Sequence, residues 1–544
     1  MKMKLNRYIA MAFAGVAFLA CSDIDEMVPQ GGTLLSSQVQ ETNNAAPSRV
    51  DAQFAGMYTK LGTPSAAGTG RVDDWGFIMM AFSNDLEACD IVTANNNYNW
   101  FSICMELSSR NADYANPYIR YACPYNQIAA ANDIIKALPA NSQESEILYK
   151  LGQAKAMRAF AYLNLAPYFQ KNYQIAPDEP CVPIVTEETT DFTNNPRASV
   201  KDVYDLIVKD LTYAIENLEG FVRPDKSKID QQVAYGLRAR AYLDMGLWDE
   251  AASDAANAMK GYTPATLAEV SKPFLFDISE HNWIWGYDMT QEVAKKEVYA
   301  TSSSWLRSFS GDGYAPATAT YSRINTLLYN KIPDTDVRKG WWVDENLHSP
   351  LLEHVTWDGV TGDEVAALAI EDVKLPYDPY TNVKFGMFTY GSTTNEEDWP
   401  FMRVEEMILI QAEGLIRGSQ PAEGKRILED FVKTYRDPSY SLDASKRRIE
   451  DEVWFQRRVE LWGEGFANSD TRRLNKAFVR FHDDNSNMPE AFRFNVSPDD
   501  PHLLMRFSLY ETNTNLGIVD NPAGEQPQPG QNPGLRDGVT DEQF

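Results

Sequence analysis

Residues 233–258 read VAYGLRARAYLDMGLWDEAASDAANA, and the turn at their centre decides how the chain is built. Ala239, Tyr242, Gly246, Trp248, Ala251 and Ala258 follow one another as small, aromatic, glycine, aromatic, small and small. Gly246 can enter the left-handed conformation that a tight turn between helices requires. Trp248 fills the corner behind that turn, and Ala251 lets two antiparallel helices approach closely. The stretch therefore predicts a helical hairpin and not a strand pair.

Working outward, this order of residues is that of a tetratricopeptide hairpin, and other segments behave similarly. In residues 401–435, Glu405, Ile408, Leu409 and Ala412 precede a turn at Gly418 to Pro421, and Gly424, Ile427, Leu428 and Phe431 return along a second helix. Tyr121, Tyr125, Ile128, Asn132 and Ile135 recur every three or four residues, one face of a helix between Pro117 and Leu138. Leu148, Leu151, Ala154, Arg158, Ala161, Tyr162 and Leu165 repeat the pattern with many alanines. Ser199 three residues before Asp202 resembles a capping box and opens a stripe at Val203, Ile207, Leu211, Ala214 and Leu218. Val453, Trp454, Arg457, Glu460 and Leu461 mark helix again. Helical spacing assigns Trp248 and Trp454 to the core. The fold class expected is mostly α: a tetratricopeptide-like hairpin scaffold in segments 117–165, 199–260 and 401–475, with neighbouring hairpins covering one another's apolar faces.

Residues 262–398 read differently. Trp283, Trp285, Trp305, Trp341 and Trp342, with Trp399 just beyond, stand among glycines, threonines, asparagines and prolines. They predict an irregular, loop-rich ligand-binding region with small strands, and loops on a rigid frame are where binding residues usually lie. A sugar can cover an aromatic ring with its apolar C–H face while its hydroxyls bond amides and acids. On that chemistry the candidate ligand residues are Asp73, Asp74, Trp75, Asn99, Trp100, Trp283, Trp285, Trp305 and Tyr314.

Charge and the first residues bound the setting. The 544 residues carry a formal charge of −27, which becomes −30 without residues 1–20, because Lys2, Lys4 and Arg7 go with them. Nucleic-acid affinity rests on basic groups that neutralise phosphates, so nucleic acid is excluded as a ligand; neutral ligands feel little of this field. Those three basic residues precede an apolar run from Ile9 to Leu19 that is too short to span a bilayer but suits a signal peptide. The run ends at Ala20-Cys21 and turns abruptly polar, as in a bacterial lipobox with Cys21 as the acylated N-terminus. Residues 1–20 are expected to be a lipoprotein signal peptide, 21–47 the lipidated N-terminus and tether, and 48–544 one folded unit. Cys89, Cys104, Cys123 and Cys181 remain, expected as buried thiols or with one bridge among the first three.

Little in the chain suggests catalysis. His281, His348, His354, His482 and His502 include no pair with zinc-ligand spacing, and no nucleophile elbow or phosphate loop occurs. Glu405-Glu406 invites a glycosidase reading, but neighbours on a helix point about 100 degrees apart; ion pairs with Arg403, or with Arg457 and Arg458, account for them better. No metal and no cofactor is expected.

Taken in order, these motifs resemble the SusD/RagB family of outer-membrane nutrient-binding lipoproteins. The resemblance is carried by Tyr125, Ile128 and Asn132, then Arg158-Ala159-Phe160 with Tyr162 and Leu163. Arg197, Val200, Val203, Tyr204, Ile207, Asp210, Leu211 and Ala214 come next, then Ala239-Arg240-Ala241-Tyr242-Leu243. The most characteristic stretch is Arg403-Val404-Glu405-Glu406-Met407 with Leu409-Ile410 and Ala412-Glu413. Arg457-Arg458-Val459-Glu460-Leu461, Glu464-Gly465, Asp470 and Arg473 reinforce it, and Glu511, Asn515 and Asn521 resemble the closing motif. The chain departs from the family at Tyr168-Phe169-Gln170, where a turn glycine is absent, and at Leu509-Tyr510, where the closing motif begins with isoleucine and proline. The resemblance implies four tetratricopeptide-like hairpins opposite a ligand-binding side, no enzymatic activity, and anchorage in the cell outer membrane, facing outward. It also implies a SusC-like TonB-dependent transporter as partner and a nutrient oligosaccharide as ligand. A peptide ligand, or less readily a lipid-anchored glycoside hydrolase, are the alternatives.

Overall fold

The computed structural model describes residues 48–96, 100–295, 302–311, 313–483 and 485–541, without the side chains of Ser48, Ser302, Ser303 and Tyr314. The signal peptide and tether, Cys21 and Asn99 lie outside the described residues. The chain divides into Met1–Gln53 and Phe54–Phe544, and the second unit holds the core.

Ten helices organise it: α1 Gly76–Glu87, α2 Ala115–Ala137, α3 Ser145–Phe169, α4 Val200–Asn217, α5 Gln231–Met245, α6 Trp248–Ala258, α7 Val404–Arg417, α8 Pro421–Tyr435, α9 Ile449–Glu460 and α10 Ala467–Arg473. From α2 to α6 each packs on the next in sequence, and α6 then packs on α7, which carries α8 and α9. None of the described helices is long and apolar enough to cross a membrane.

The termini behave as their residues dictate. The Ser199 hydroxyl caps the helix by accepting the Asp202 amide at 3.0 Å, and it donates to the Asp202 carboxylate at 2.7 Å, so that carboxylate bonds the hydroxyl where a full capping box would bond the Ser199 backbone amide. Asp230 caps α5 by accepting the Val233 amide at 2.9 Å. Gly246 closes α5 at φ 76°, in the left-handed region, and the Leu247 amide returns to the Tyr242 carbonyl at 2.9 Å. Trp248 departs from expectation. It is only half-buried, because its carbonyl rather than its ring meets α7 at Gly414, and the Arg417 guanidinium covers the ring 5.2 Å from its centroid. Trp454 is buried.

Many of the motif residues form buried ion pairs that tie helices together. Arg158 on α3 holds Asp210 on α4 with two bonds of 2.7 and 3.0 Å and reaches Asn132 on α2 at 2.7 Å. Arg240 on α5 holds Glu406 on α7 at 2.7 Å through both carboxylate oxygens. Arg403 holds Glu464 with two bonds of 2.8 Å and meets Glu405 at 2.9 Å, while Glu405 also faces Arg436 at 3.3 Å. Arg457 holds Asp470, and Arg458 holds Asp90 and Asp537. The partners expected for the Glu405-Glu406 pair are thus half right: Arg403 serves Glu405, whereas Arg457 and Arg458 are engaged elsewhere.

Residues 262–398 are short helices, turns and two-stranded sheets. Strand β1, Trp283–Tyr287, pairs antiparallel with β2, Trp399–Arg403, opposing Trp283 to Arg403 and Tyr287 to Trp399, and every residue of both strands is buried. Trp341, Trp342, Phe274, Phe385 and Trp462 interleave behind them. One apolar cluster runs from Met57 to Val539 through helices and loops alike. The middle of the chain is therefore part of the core, not loops laid over it. Cys89, Cys104, Cys123 and Cys181 are buried free thiols, and burial pushes those of Cys89, Cys104 and Cys181 up to about 12.

Candidate functional site

Most of the rings expected as ligand platforms are spent on packing. Trp285 lies edge-on to Phe160 at 4.9 Å and against Phe401 at 4.9 Å, and its indole donates to the Ser227 carbonyl at 3.2 Å. Trp283 packs on Phe276, and Trp305 on Phe101 at 4.8 Å. All three are buried and offer no face to a sugar. Trp75 is buried as well, its indole donating to the Gly62 carbonyl at 2.7 Å. Asp74 accepts the Ala67 and Thr69 amides at 2.8 and 3.0 Å and so closes the loop before α1. Asp73 is held by the half-exposed Arg71 at 2.8 Å. These three residues build a loop instead of lining a site.

Trp100 is different. It is 44% exposed, the one exposed tryptophan among the twelve in the chain. Its neighbour Phe101 is buried and fixed edge-on between Phe82 at 5.0 Å and Trp305 at 4.8 Å. The Asn96 amide donates to the Thr318 carbonyl at 3.4 Å. That bond brings Asn96, four residues before Trp100, against the short helix Tyr314–Thr318. Ala319 ends that helix at φ 54°, a left-handed conformation that costs a residue with a Cβ. It is held by the segment beneath: the Leu375 amide donates to the Pro316 carbonyl at 2.8 Å, and the Tyr321 hydroxyl to the Leu375 carbonyl at 2.5 Å.

Lys374 anchors this support. Its ammonium donates to the Leu368 and Leu375 carbonyls at 3.0 and 3.2 Å and sits 4.0 Å from the Tyr377 ring centroid and 5.5 Å from that of Trp357. Burial pushes its pKa down to about 7. Trp100 and Asn95 are exposed, and Asn96 and Thr318 are half-buried. An exposed indole can stack an apolar ring face. Asn96 and Thr318 were not singled out from sequence; the run Asn95-Asn96-Asn97 beside Trp100 was the available signal for the first, and nothing local marked the second.

A separate cleft of about 130 Å³ lies among α1, the ends of α3 and α5, α7 and α10. Its walls carry the Arg240–Glu406 and Arg457–Asp470 pairs, and Asp244, which accepts the Tyr204 hydroxyl at 2.9 Å. Burial pushes Asp244 up to about 6 and Arg472 down to about 10. It gathers structural residues and none of the predicted ligand residues. Among the described residues no three His, Cys, Asp or Glu side chains converge as a metal site would require.

Two family models match the chain. One, described as starch-binding associating with outer membrane, covers residues 79–243, and the other, the SusD family, covers residues 286–514. A SusD-like protein of Bacteroides ovatus is 23% identical over 283 residues, half of this chain and 46% of that protein, so the match spans less than half of the relative. Among solved structures, a SusD-like carbohydrate binding protein from Bacteroides vulgatus superposes with a TM-score of 0.70 at 22% identity, covering 87% of this chain and 97% of that one. Surface glycan-binding protein A from Bacteroides thetaiotaomicron, in complex with laminarihexaose, superposes with a TM-score of 0.61 at 15% identity, covering 87% and 99%. At these identities the superpositions speak for the fold.

Proposed function

The chain belongs to the SusD/RagB family, and from that premise we propose that it captures a neutral oligosaccharide at the Trp100 surface and passes it to a SusC-like TonB-dependent transporter. In this reading acyl chains on Cys21 hold it at the outer membrane, more than one chain being needed for stable attachment. The paired helices act as the stiff tetratricopeptide-like frame, and the segments around Trp100 and Tyr314–Thr318 receive the ligand.

The observation that carries the proposal is the exposed Trp100 indole, next in the chain to Phe101, which is buried against Trp305. SusD-like proteins are non-catalytic binding proteins, and the acids here agree: Glu405 is held by Arg403 and Arg436, and Glu406 by Arg240. The net charge of −27 favours uncharged ligands over acidic polysaccharides. Laminarihexaose, the ligand of a structural relative, is a sensible first probe beside a wider panel. Binding without change in glycan length, lost in Trp100→Ala, is the expected result; cleavage products, or capture of peptides alone, would overturn it.

A further inference from the structure

A group of buried polar side chains around Glu87 stands apart from ligand capture. Glu87 ends α1 and is buried. Arg110, on the loop before α2, approaches one of its carboxylate oxygens to 3.6 Å, and Arg120, on α2, approaches the other to 3.7 Å. Both distances are too long for a hydrogen bond; the bond Glu87 does accept comes from the Asn468 amide at 3.0 Å. The two arginines reach only neutral acceptors, Arg110 the Leu503 carbonyl at 3.2 Å and Arg120 the Cys104 sulfur at 3.6 Å. Nε of Arg110 and both Nε and Nη1 of Arg120 have no hydrogen-bond partner among the described residues. Asn116 lies one helical turn before Arg120, so the two share a face of α2. It is 1% exposed, and neither end of its side-chain amide is bonded.

The charges here do not balance. Arg472 shares the Leu503 carbonyl with Arg110, at 2.6 Å, and donates to the Gln170 carbonyl at 3.4 Å. Arg480 donates to the Glu87 and Ala88 carbonyls at 2.9 Å each and to those of Met105 and Phe492. Burial, with the like charge of Arg110 added to it, pushes Arg472 and Arg480 down to about 10, still far above neutral pH. Four guanidinium ions are therefore gathered about one carboxylate. The other groups nearby supply no free negative charge: Asp73 is held by Arg71 at 2.8 Å, Asp113 is exposed, and burial keeps the Cys104 thiol and the Tyr168 hydroxyl protonated and pushes His502 down.

Buried charge without a counter-charge is costly, and arginine cannot escape the cost by losing its proton. Water would answer the N–H groups but not the charge. The start of α2 adds to the same demand: no side chain caps its first turn, and the amide dipoles of a helix start favour an anion. Arg110, Arg120, Asn116 and Glu87 are each at most 5% exposed, an enclosure that suits an ion about the size of a water molecule and not an organic acid. We propose that a halide ion, chloride in ordinary salt, binds inside the protein against Arg110, Arg120 and the Asn116 amide, and that it fastens the end of α1 to the start of α2.

The test uses bromide, which replaces chloride and can be located by its anomalous X-ray scattering. The full chain is melted in potassium gluconate and in potassium bromide at equal ionic strength, gluconate being too large for so enclosed a site. Bromide is expected to raise the melting temperature by about 2 °C or more. Crystals grown in bromide should show an anomalous peak in contact with Arg120 and Asn116. The bromide shift should shrink in Asn116→Leu, which keeps the volume and removes the amide, and in Arg120→Met, which removes one of the charges; if one variant does not fold, the other decides. A melting temperature indifferent to the anion, a shift undiminished in every variant that folds, or a bromide peak only at other positions overturns the assignment. Ordered water at the site without an anomalous signal does so as well.

Discussion

At the scale of single residues, the arginines of the recurring motifs hold the structure, and Trp100 is the one exposed tryptophan. Arg403, Glu464, Lys384, Arg436 and Glu460 are fully packed and bonded to one another. Replacing one member leaves a buried charge without its counter-charge. Glu464→Gln is therefore expected to destabilise the fold by about 3–5 kcal/mol, read as a lowered urea midpoint. Two tryptophans make a sharper contrast. Trp283→Ala, which empties a buried volume beside Phe276, is expected to cost about 3–5 kcal/mol. Trp100→Ala should shift stability by no more than about 0.5 kcal/mol while removing ligand binding. Equal unfolding midpoints for the two variants would contradict this division between core and surface.

At the scale of elements, close approach of backbones explains where small residues stand. An added Cβ at Gly414 on α7 would lie 2.5 Å from the Trp248 carbonyl and 3.0 Å from the Ala252 methyl on α6. Gly414→Ala is expected to push the two helices apart and cost about 1–3 kcal/mol. Gly56, helical and with nothing within 4 Å of its would-be Cβ, should do the opposite: Gly56→Ala is expected to stabilise by about 1 kcal/mol or less. Thermal melts of the two variants check both signs. The same scale shows what sequence could reveal. The turn at Gly246, the Ser199 cap and the stripe along α4 were legible because each is set by residues within one or two turns of one another. The burial of Trp283, Trp285 and Trp399 was not, since β1 and β2 lie more than a hundred residues apart and cover each other's faces only once paired. Tryptophans among glycines and prolines looked like exposed loop rings for that reason. Trp100 was legible as a candidate, but the bond between Asn96 and Thr318 is made across the fold, which no local pattern encodes.

At the scale of the whole molecule, two sets of buried acids set the dependence of stability on pH. Burial alone would raise Glu460, Glu464 and Asp470, yet the arginines around them overrule it and hold all three below their ordinary values. Their contribution is present above the unfolded value of about 4 and is lost as pH falls below it. Burial prevails at Asp85 and Asp398, which are pushed up to about 7 in spite of backbone amides donating to them. The folded state holds those protons where the unfolded chain releases them, so this contribution is lost as pH rises from about 4 through 7. The melting temperature is expected to peak at about pH 5 and to fall on both sides; a plateau from pH 5 to 8 would show that the arginine-held acids dominate alone.

The stiff helical frame and the single exposed indole meet in one measurement. Titration calorimetry of the wild type and of Trp100→Ala against the same neutral oligosaccharide panel, with the glycan recovered and sized afterwards, tests them together. We predict that the wild type binds at least one member and returns it intact, and that Trp100→Ala binds it at least tenfold more weakly with an unchanged melting temperature. Equal affinity in the two proteins, or recovered glycan shortened by the wild type, would contradict the account.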